Sequence, residues 1–467
     1  MANFDLIIIG GGAGAFAAAI RANELKAKTA LVNTGLPLGG TCVNVGCVPS
    51  KTLLWAGEIM HLAKHHGIPG IELELKHFDF QQVMQDELAL VARLRQEKYA
   101  QVLKHLQHVT FIEGQATFVS PRDVQVNGKS LSADKFLIAA GSTATVPPIA
   151  GIHEAGFITH IEALKLTTQP RMLIVVGAGP LGLEFAQMYA RFGTQVTILQ
   201  RSLSVFPRGE GELTARLAQV LTQEGITIKT KVTLQAVRKE RGKKVVSYSM
   251  NGKQEEVSGD EILLAAGKTP NTQGLGLQKA AVTVDSTHAI IVNPFFQTSA
   301  PHVYAVGDVT NLPLRLETTA GHEGTLAAEN ALTGSHHQID YQTVPYNIFT
   351  DPQLAGVGFT EAEQMQQLGT CACRTVSFDQ VPKALIMRRI EGLIKMAIHP
   401  KTRQIMGVHI LAPQAGELIV QAMLLVKNNN TIDDVLHSLP MFPTLSEALK
   451  LVALSFTKDI AKLSCCI

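Results

Sequence analysis

Six cysteines fall in three close pairs: Cys42/Cys47, Cys371/Cys373 and Cys465/Cys466. The first pair sits in a glycine-flanked run from Gly39 to Lys51 that reads GGTCVNVGCVPSK. Two cysteines at that spacing can close a small disulfide ring at a helix start, where the helix N-terminus lowers a thiol pKa and favours the reactive thiolate. Two buried structural cysteines or half of a zinc site are the alternatives. Zinc would need two more ligands, and this spacing is not usual for it. The adjacent thiols of Cys465 and Cys466 can hold a soft metal ion as a bis-thiolate. Their alternative is an incidental pair at a frayed chain end. Cys371-Ala372-Cys373 reads as surface cysteines in a variable loop rather than as an extra metal site. A secreted disulfide framework would be shorter and denser in cysteine, so close pairs in a chain of 467 residues point to redox or metal chemistry.

These side chains need elements to position them. The apolar run Leu6 to Ile9 reads as a buried strand. It turns through Gly10, Gly12, Gly14 and Ala15 into an alanine-rich helix, Phe16 to Asn23, and a second strand follows from Thr29 to Val32. The design repeats with a strand from Leu173 to Val176, a turn through Gly177, Gly179 and Gly182, a helix from Leu183 to Phe192 and a strand from Gln195 to Leu199. Glycine lets a pyrophosphate approach the backbone N–H groups, and the following helix start adds favourable partial charge. One glycine fingerprint is weak evidence. Two copies, each between a strand and a helix, predict two dinucleotide sites.

The end of the next strand should meet the adenosine ribose. In the first unit that position is Asn33, where an acidic residue is usual, and its amide oxygen can still accept a hydrogen bond. In the second unit it is Gln200-Arg201. A neutral residue followed by Arg suits a 2′-phosphate, so the pair favours NADPH over NADH. Read alone, Arg201 would be a solvated surface charge.

The length suggests about two to four packed domains. A formal net charge of +2, from 41 basic and 39 acidic residues, gives no reason to expect nucleic acid or an anionic membrane as partner. No apolar stretch approaches the ~18 residues of a membrane span, and no N-terminal segment has the pattern of a secretory leader. A cytoplasmic enzyme is the expectation. From about Tyr341 the pattern changes to a mixture of strands (Leu393 to Ile398, Gly407 to Leu411) and helices (Gln414 to Lys427, Leu445 to Leu463), read as a separate α+β unit for assembly.

With these motifs the chain resembles the pyridine nucleotide–disulfide oxidoreductase family over essentially its whole length. The matching pieces are Gly10 to Ala15, Gly39 to Lys51, Ala139 to Ser142, Gly177 to Glu184 and Ala265 to Asn271, then Tyr304 to Asp308, Phe349 to Pro352 and Val357 to Glu361. The resemblance implies FAD in the first domain and a nicotinamide cofactor in the second. It implies that Gly40, Thr41, Gly141, Gly267, Gly307 and Asp308 line the cofactors, with Asp308 holding the ribityl or phosphate region of the flavin. It also implies that Lys51 lies close to the flavin with Glu184 as its partner near the nicotinamide, that Cys47 faces the flavin as a thiolate and that Cys42 is the interchange thiol.

Relatives that cleave disulfides carry a catalytic His near the C-terminus, because the leaving thiolate needs an acid. Here the frame reads Met441-Phe442-Pro443-Thr444-Leu445-Ser446-Glu447, with Phe442 where the His belongs. Phe transfers no proton. The ending Cys465-Cys466 is similar to that of the branch of the family that reduces mercuric ion, and Phe442 and Phe157 take places where better-known members of that branch carry tyrosines near the metal.

The expectation is therefore an α/β chain with two Rossmann-like dinucleotide-binding domains, for FAD and NADPH, and a C-terminal α+β dimerisation domain. The expected boundaries are 1–150 for the first part of the FAD domain, 151–270 for the NADPH domain, 271–340 for a central FAD part and 341–467 for dimerisation. The expected activity is NADPH-driven reduction of a thiol-bound Hg(II) in a homodimer. Cys465 and Cys466 of one subunit would deliver metal to Cys42 and Cys47 of the other, beside Phe442 and Glu447. A lipoamide- or glutathione-type disulfide reductase and a metal-sequestering flavoprotein are the competing readings.

Overall fold

The computed structural model describes residues 3–464, so Cys465 and Cys466 lie outside the described residues. The run Leu6 to Ile9 forms the middle of β1 (Phe4–Ile9), exposed by no more than 5% at any of those four positions. A strand apolar on both faces belongs inside a parallel sheet. β1 pairs in parallel with β2 (Thr29–Asn33), placing Ile7 opposite Ala30, and with the strand Lys129–Ile138, placing Ile8 opposite Leu137. Val109–Glu113 and Val303–Ala305 extend this sheet in parallel on its two sides.

Helix α1 (Ala13–Glu24) buries Ala15, Ala18, Ala19 and Ala22. These small side chains let the long helix Glu317–Thr333 approach closely. A Cβ on Gly324 would lie 2.0 Å from the Gly14 carbonyl oxygen, so only glycine fits that crossing. The second unit is a parallel sheet in the order Thr227–Lys229, Gln195–Leu199, Met172–Val176, Glu261–Leu264. A short antiparallel ribbon of Ser142–Ala144 with Lys268–Pro270 ties the chain leaving the first sheet to the chain leaving the second.

The C-terminal unit is a five-stranded antiparallel sheet, ordered Tyr346–Ile348, Gln353–Gly358, Ile405–Ala412, Leu393–Ile398, Ala372–Ser377. The helices Ala415–Lys427 and Glu447–Leu454 pack on it. One apolar cluster joins all three parts: Leu53 and Met60, Leu183 and Phe185, and Ile348, Leu354 and Leu411. Burial of each such side chain contributes about 2 kcal/mol, so the three parts are mutually stabilising. No helix among the described residues is long and apolar enough to cross a membrane.

Two local expectations fail. The helix expected from Leu445 to Leu463 is regular only over Glu447–Leu454. Past it, the Ser455 hydroxyl donates to Val452 O (2.7 Å), the Thr457 hydroxyl to Leu454 O (3.3 Å), and Asp459 caps a new short turn. Side chains that bond their own backbone end helices in this way. Cys371 lies in the loop before the edge strand as expected, but Cys373 lies in that strand, both are half-buried rather than on the surface, and a disulfide joins them.

Candidate active site

The redox cysteines occupy the junction of two helices. Cys42 lies in α2 (Gly40–Val45), Gly46 breaks the chain, and Cys47 opens α3 (Cys47–His65). Gly40 has φ +58°, and a Cβ there would lie 2.5 Å from Gly12 Cα, so the cysteine loop packs directly on the first glycine turn. Gly39 N–H donates to Gly11 O (2.8 Å), and the Asn44 amide nitrogen donates to Gly40 O (2.8 Å), fixing the loop.

Cys42 and Cys47 are both free thiols, Cys42 half-buried and Cys47 exposed. They differ in electrostatics. A hydrogen bond from Cys42 and the nearby Lys51 ammonium hold Cys47 below the ordinary thiol pKa. Donating that bond, together with burial, pushes Cys42 up. Of the two, Cys42 is biased toward keeping its proton and Cys47 toward the thiolate. Its place as first residue of a long helix favours the same charge. The Glu317 carboxylate opposes it, raising both thiols.

Lys51, one turn into α3, puts Nζ 2.7 Å from Glu184 Oε2 and 4.5 Å from the centre of the Phe349 ring. Glu184 is 5% exposed, and its second oxygen accepts from Phe349 N–H (2.8 Å). The same face of the helix Pro180–Arg191 carries Gln187 and Arg191. Gln187 exchanges two 2.7 Å bonds with the Asp351 backbone, and Arg191 reaches the Asp351 carboxylate at 3.0 Å. One helix thus holds both the Lys51 ammonium and the first loop of the C-terminal sheet. The motifs pointed to Glu184 but not to Gln187 or Arg191. Their spacing on the helix was visible, but their partners were not.

The glycine turns form two cradles. At the outer positions a side chain cannot fit: a Cβ on Gly10 would lie 2.2 Å from Ala139 O, on Gly14 2.9 Å from Ala320 O, on Gly177 2.4 Å from Ala265 O and on Gly182 2.1 Å from Gly177 O. At the middle positions the space is open, with the nearest atom 3.8 Å away at Gly12 and nothing within 4 Å at Gly179. Crowding on the protein side and room on the other is what a pyrophosphate against the backbone requires. Ala15 is buried near the start of α1. Asn33 uses its amide nitrogen on Leu36 O (2.9 Å), leaving its oxygen for a hydroxyl. Gln200 is buried and accepts from Ala178 N–H (3.3 Å), whereas Arg201 is exposed and enters no ion pair among the described residues.

Gly141 and Gly267 both take positive φ beside the ribbon, where Asn271 N–H donates to Gly141 O (3.0 Å) and Thr145 N–H to Gly267 O (2.9 Å). The Ser142 hydroxyl donates to Asp308 Oδ2 (2.6 Å), and Gly307 N–H to Glu323 Oε2 (2.7 Å). Glu323 is fully buried, also accepts from the Tyr341 hydroxyl (2.8 Å), and its pKa is raised by burial. Ser142 and Glu323 carried no motif signal. Phe442 is 44% exposed, and Glu447 accepts from Thr444 N–H (3.2 Å) with its pKa raised by burial. Within one chain, no hydrogen bond or ion pair among the described residues joins either to Cys42, Cys47 or Lys51.

The sequence matches the pyridine nucleotide-disulphide oxidoreductase family over residues 4–330 and the dimerisation domain of that family over residues 344–453. The chain belongs to the pyridine nucleotide-disulphide oxidoreductases. A mercuric reductase from Staphylococcus aureus is 38% identical over 99% of this chain and 84% of its own, and one from Streptomyces lividans is 37% identical over 99% and 98%. Among solved structures, a HOCl-induced flavoprotein disulfide reductase from Escherichia coli superposes with a TM-score of 0.86 at 26% identity, over 97% of this chain and all of that one. As a pyridine nucleotide-disulphide oxidoreductase, the protein is an enzyme using FAD and NADPH, and both cradles fit those groups.

Proposed function

We propose that this enzyme reduces Hg(II), presented as a thiol complex, to Hg(0) in the cytoplasm, as a homodimer. The observation that carries the reading is the combination of two free thiols, Cys42 and Cys47, near the Lys51 ammonium with Phe442 in place of an acid. Two thiols suit a soft ion, whereas disulfide cleavage lacks its proton source. The likeness to the mercuric reductases supports the same substrate.

Bound FAD and NADPH supply the electron pair. The first cradle, with Gly10, Gly12, Gly14, Ala15, Asn33, Gly40, Thr41, Gly141, Gly307 and Asp308, would hold FAD. The second, with Gly177, Gly179, Gly182, Gln200, Arg201 and Gly267, would hold NADPH. Glu184 orients Lys51, whose fixed cation stabilises negative charge arriving beside the thiols. Cys465 and Cys466 of the partner chain capture the metal and pass it to Cys42 and Cys47 by thiolate exchange. Each exchange makes one S–Hg bond as another breaks, so the ion is never released to water. Two electrons convert the bound ion to the neutral atom, and the thiolates return. Phe442 and Glu447 of the partner wall this chamber and exclude water from it.

The test is NADPH oxidation by the FAD-loaded protein with Hg(II) and excess thiol, in wild type and in a Cys465→Ala/Cys466→Ala variant. Hg(II)-dependent oxidation that collapses in the variant supports the reading and the delivery role. Oxidation unchanged by the variant keeps the reductase and removes the tail. Absence of Hg(II)-dependent oxidation overturns the reading.

The structural likeness to a disulfide reductase favours one second reading, turnover of an organic disulfide. A general acid contributes roughly 100- to 10,000-fold, so disulfide reduction should be slow in wild type and rise in Phe442→His. Fast disulfide turnover by wild type would favour this second reading.

A further inference from the structure

The redox chemistry leaves Cys371 and Cys373 without a role. They lie at and just before the start of the edge strand Ala372–Ser377, with Cα atoms 5.8 Å apart, joined as a disulfide. The helix Glu361–Leu368 precedes them, and its first residue turns a carboxylate toward both sulfurs: one ligand atom from each of Glu361, Cys371 and Cys373 lies within 4.8 Å of the others. The fully buried Gln364 closes the inner side. Its amide oxygen lies 3.6 Å from Cys373 Sγ, and its amide nitrogen is fixed on Ile398 O at 2.7 Å.

Glu361 is held in place yet free to serve. Its N–H donates to Glu210 Oε2 (2.9 Å), and its carboxylate meets the buried Lys395 ammonium. Lys395 also contacts Glu210 (3.0 Å) and Glu212 (3.3 Å). A cation can therefore take a share of the Glu361 carboxylate without stranding a buried positive charge. Two thiolates and one carboxylate around a divalent ion sum to one negative charge, and the Lys395 ammonium lies beside that carboxylate.

We propose that Cys371, Cys373 and Glu361 form a second, redox-gated site for a soft divalent metal ion, separate from the Cys42/Cys47 centre. In the oxidised form the sulfurs are bonded to each other and do not ligate as thiolates. Two equivalents of a small thiol reduce the bridge: the Cys371–Cys373 bond breaks, both cysteines gain a proton, and the small thiol leaves as its own disulfide. The metal ion then displaces the two thiol protons into solvent and binds two sulfurs and one oxygen. Thiolates select thiophilic ions over magnesium or calcium, which require several oxygens.

The test uses the full FAD-loaded chain with Cys42, Cys47, Cys465 and Cys466 replaced by Ser, so that Cys371 and Cys373 are the remaining thiols. The protein is titrated with Cd(II) before and after reduction, and the thiolate-to-cadmium charge-transfer band is followed. The expected result is no band when oxidised. After reduction, a band should saturate at one ion per chain with release of two protons. Further substitution Cys373→Ser should abolish it, and Glu361→Gln should weaken binding about 10-fold or more. The oxidised and reduced samples share one polypeptide, so this comparison stands even if a variant misfolds. A reduced protein without a saturable band, or a band that survives Cys373→Ser, overturns the proposal. An affinity unchanged by Glu361→Gln overturns the three-ligand site.

Discussion

Glu184 holds two distant parts of the chain at once, with Oε2 2.7 Å from Lys51 Nζ and Oε1 2.8 Å from Phe349 N. Glu184 is 5% exposed, while the Lys51 side chain is partly open to solvent. Glu184→Ala should lower stability by about 0.5–1.5 kcal/mol, the net worth of a hydrogen bond, and should slow NADPH-dependent turnover as Lys51 loses its fixed position. Urea unfolding midpoints and steady-state rates read both effects. Unchanged values in both would refute the clamp.

The Cys47 thiolate depends on Cys42 and Lys51. A depressed thiol pKa keeps the thiolate populated below the ordinary thiol value of about 8.5, and it is lost only as the pH falls through the depressed value. Cys42→Ala removes the hydrogen bond, and Lys51→Met removes the charge. Each should move the Cys47 titration upward, so that less thiolate remains at neutral pH. The pH dependence of Cys47 alkylation measures this. A midpoint that stays put in both variants would show that the helix start alone sets the pKa.

Arg201 stands free at the end of the strand Gln195–Leu199, next to the buried Gln200. A hydrogen bond to a charged group contributes about 1.5–3 kcal/mol. Arg201→Ala should therefore raise KM for NADPH by roughly 10- to 100-fold and leave KM for NADH nearly unchanged. Equal changes for both coenzymes would remove the phosphate contact from the argument.

Glu87 is 1% exposed, and neither carboxylate oxygen has a partner in the structure. Burial raises its pKa to about 7. The folded state thus binds a proton more tightly than the unfolded chain. Stability is highest below the unfolded value of about 4.5 and falls as the pH rises toward about 7, by about 3 kcal/mol in all. Glu87→Leu should flatten this slope and raise the unfolding midpoint at pH 8. A pH profile identical to wild type would show that Glu87 ionises freely.

The local sequence determined a good deal here. The strands Gln195–Leu199 and Leu393–Ile398 match the expected ranges residue for residue. The glycine turns fall between strand and helix as their pattern required, and Cys47 opens a helix. These features rest on neighbouring residues: alternation, a run of apolar side chains, or a glycine that must pass where a Cβ would collide.

Only the tertiary structure decided which distant groups meet. Gln187 and Arg191 share a helix face that the sequence displays, but their partner Asp351 is brought to them by packing of the C-terminal sheet. The closing helix stops at Leu454 because Ser455 and Thr457 bond back to their own turn, a competition that apolar periodicity does not register. Cys371 and Cys373 read as loop residues, yet Cys373 is paired into the edge strand beside Leu393–Ile398, and both sulfurs lie close to Glu361. A residue's own conformation is set mainly by its neighbours. The electrostatic partner of a buried charge is set by whichever surface the whole fold presses against it.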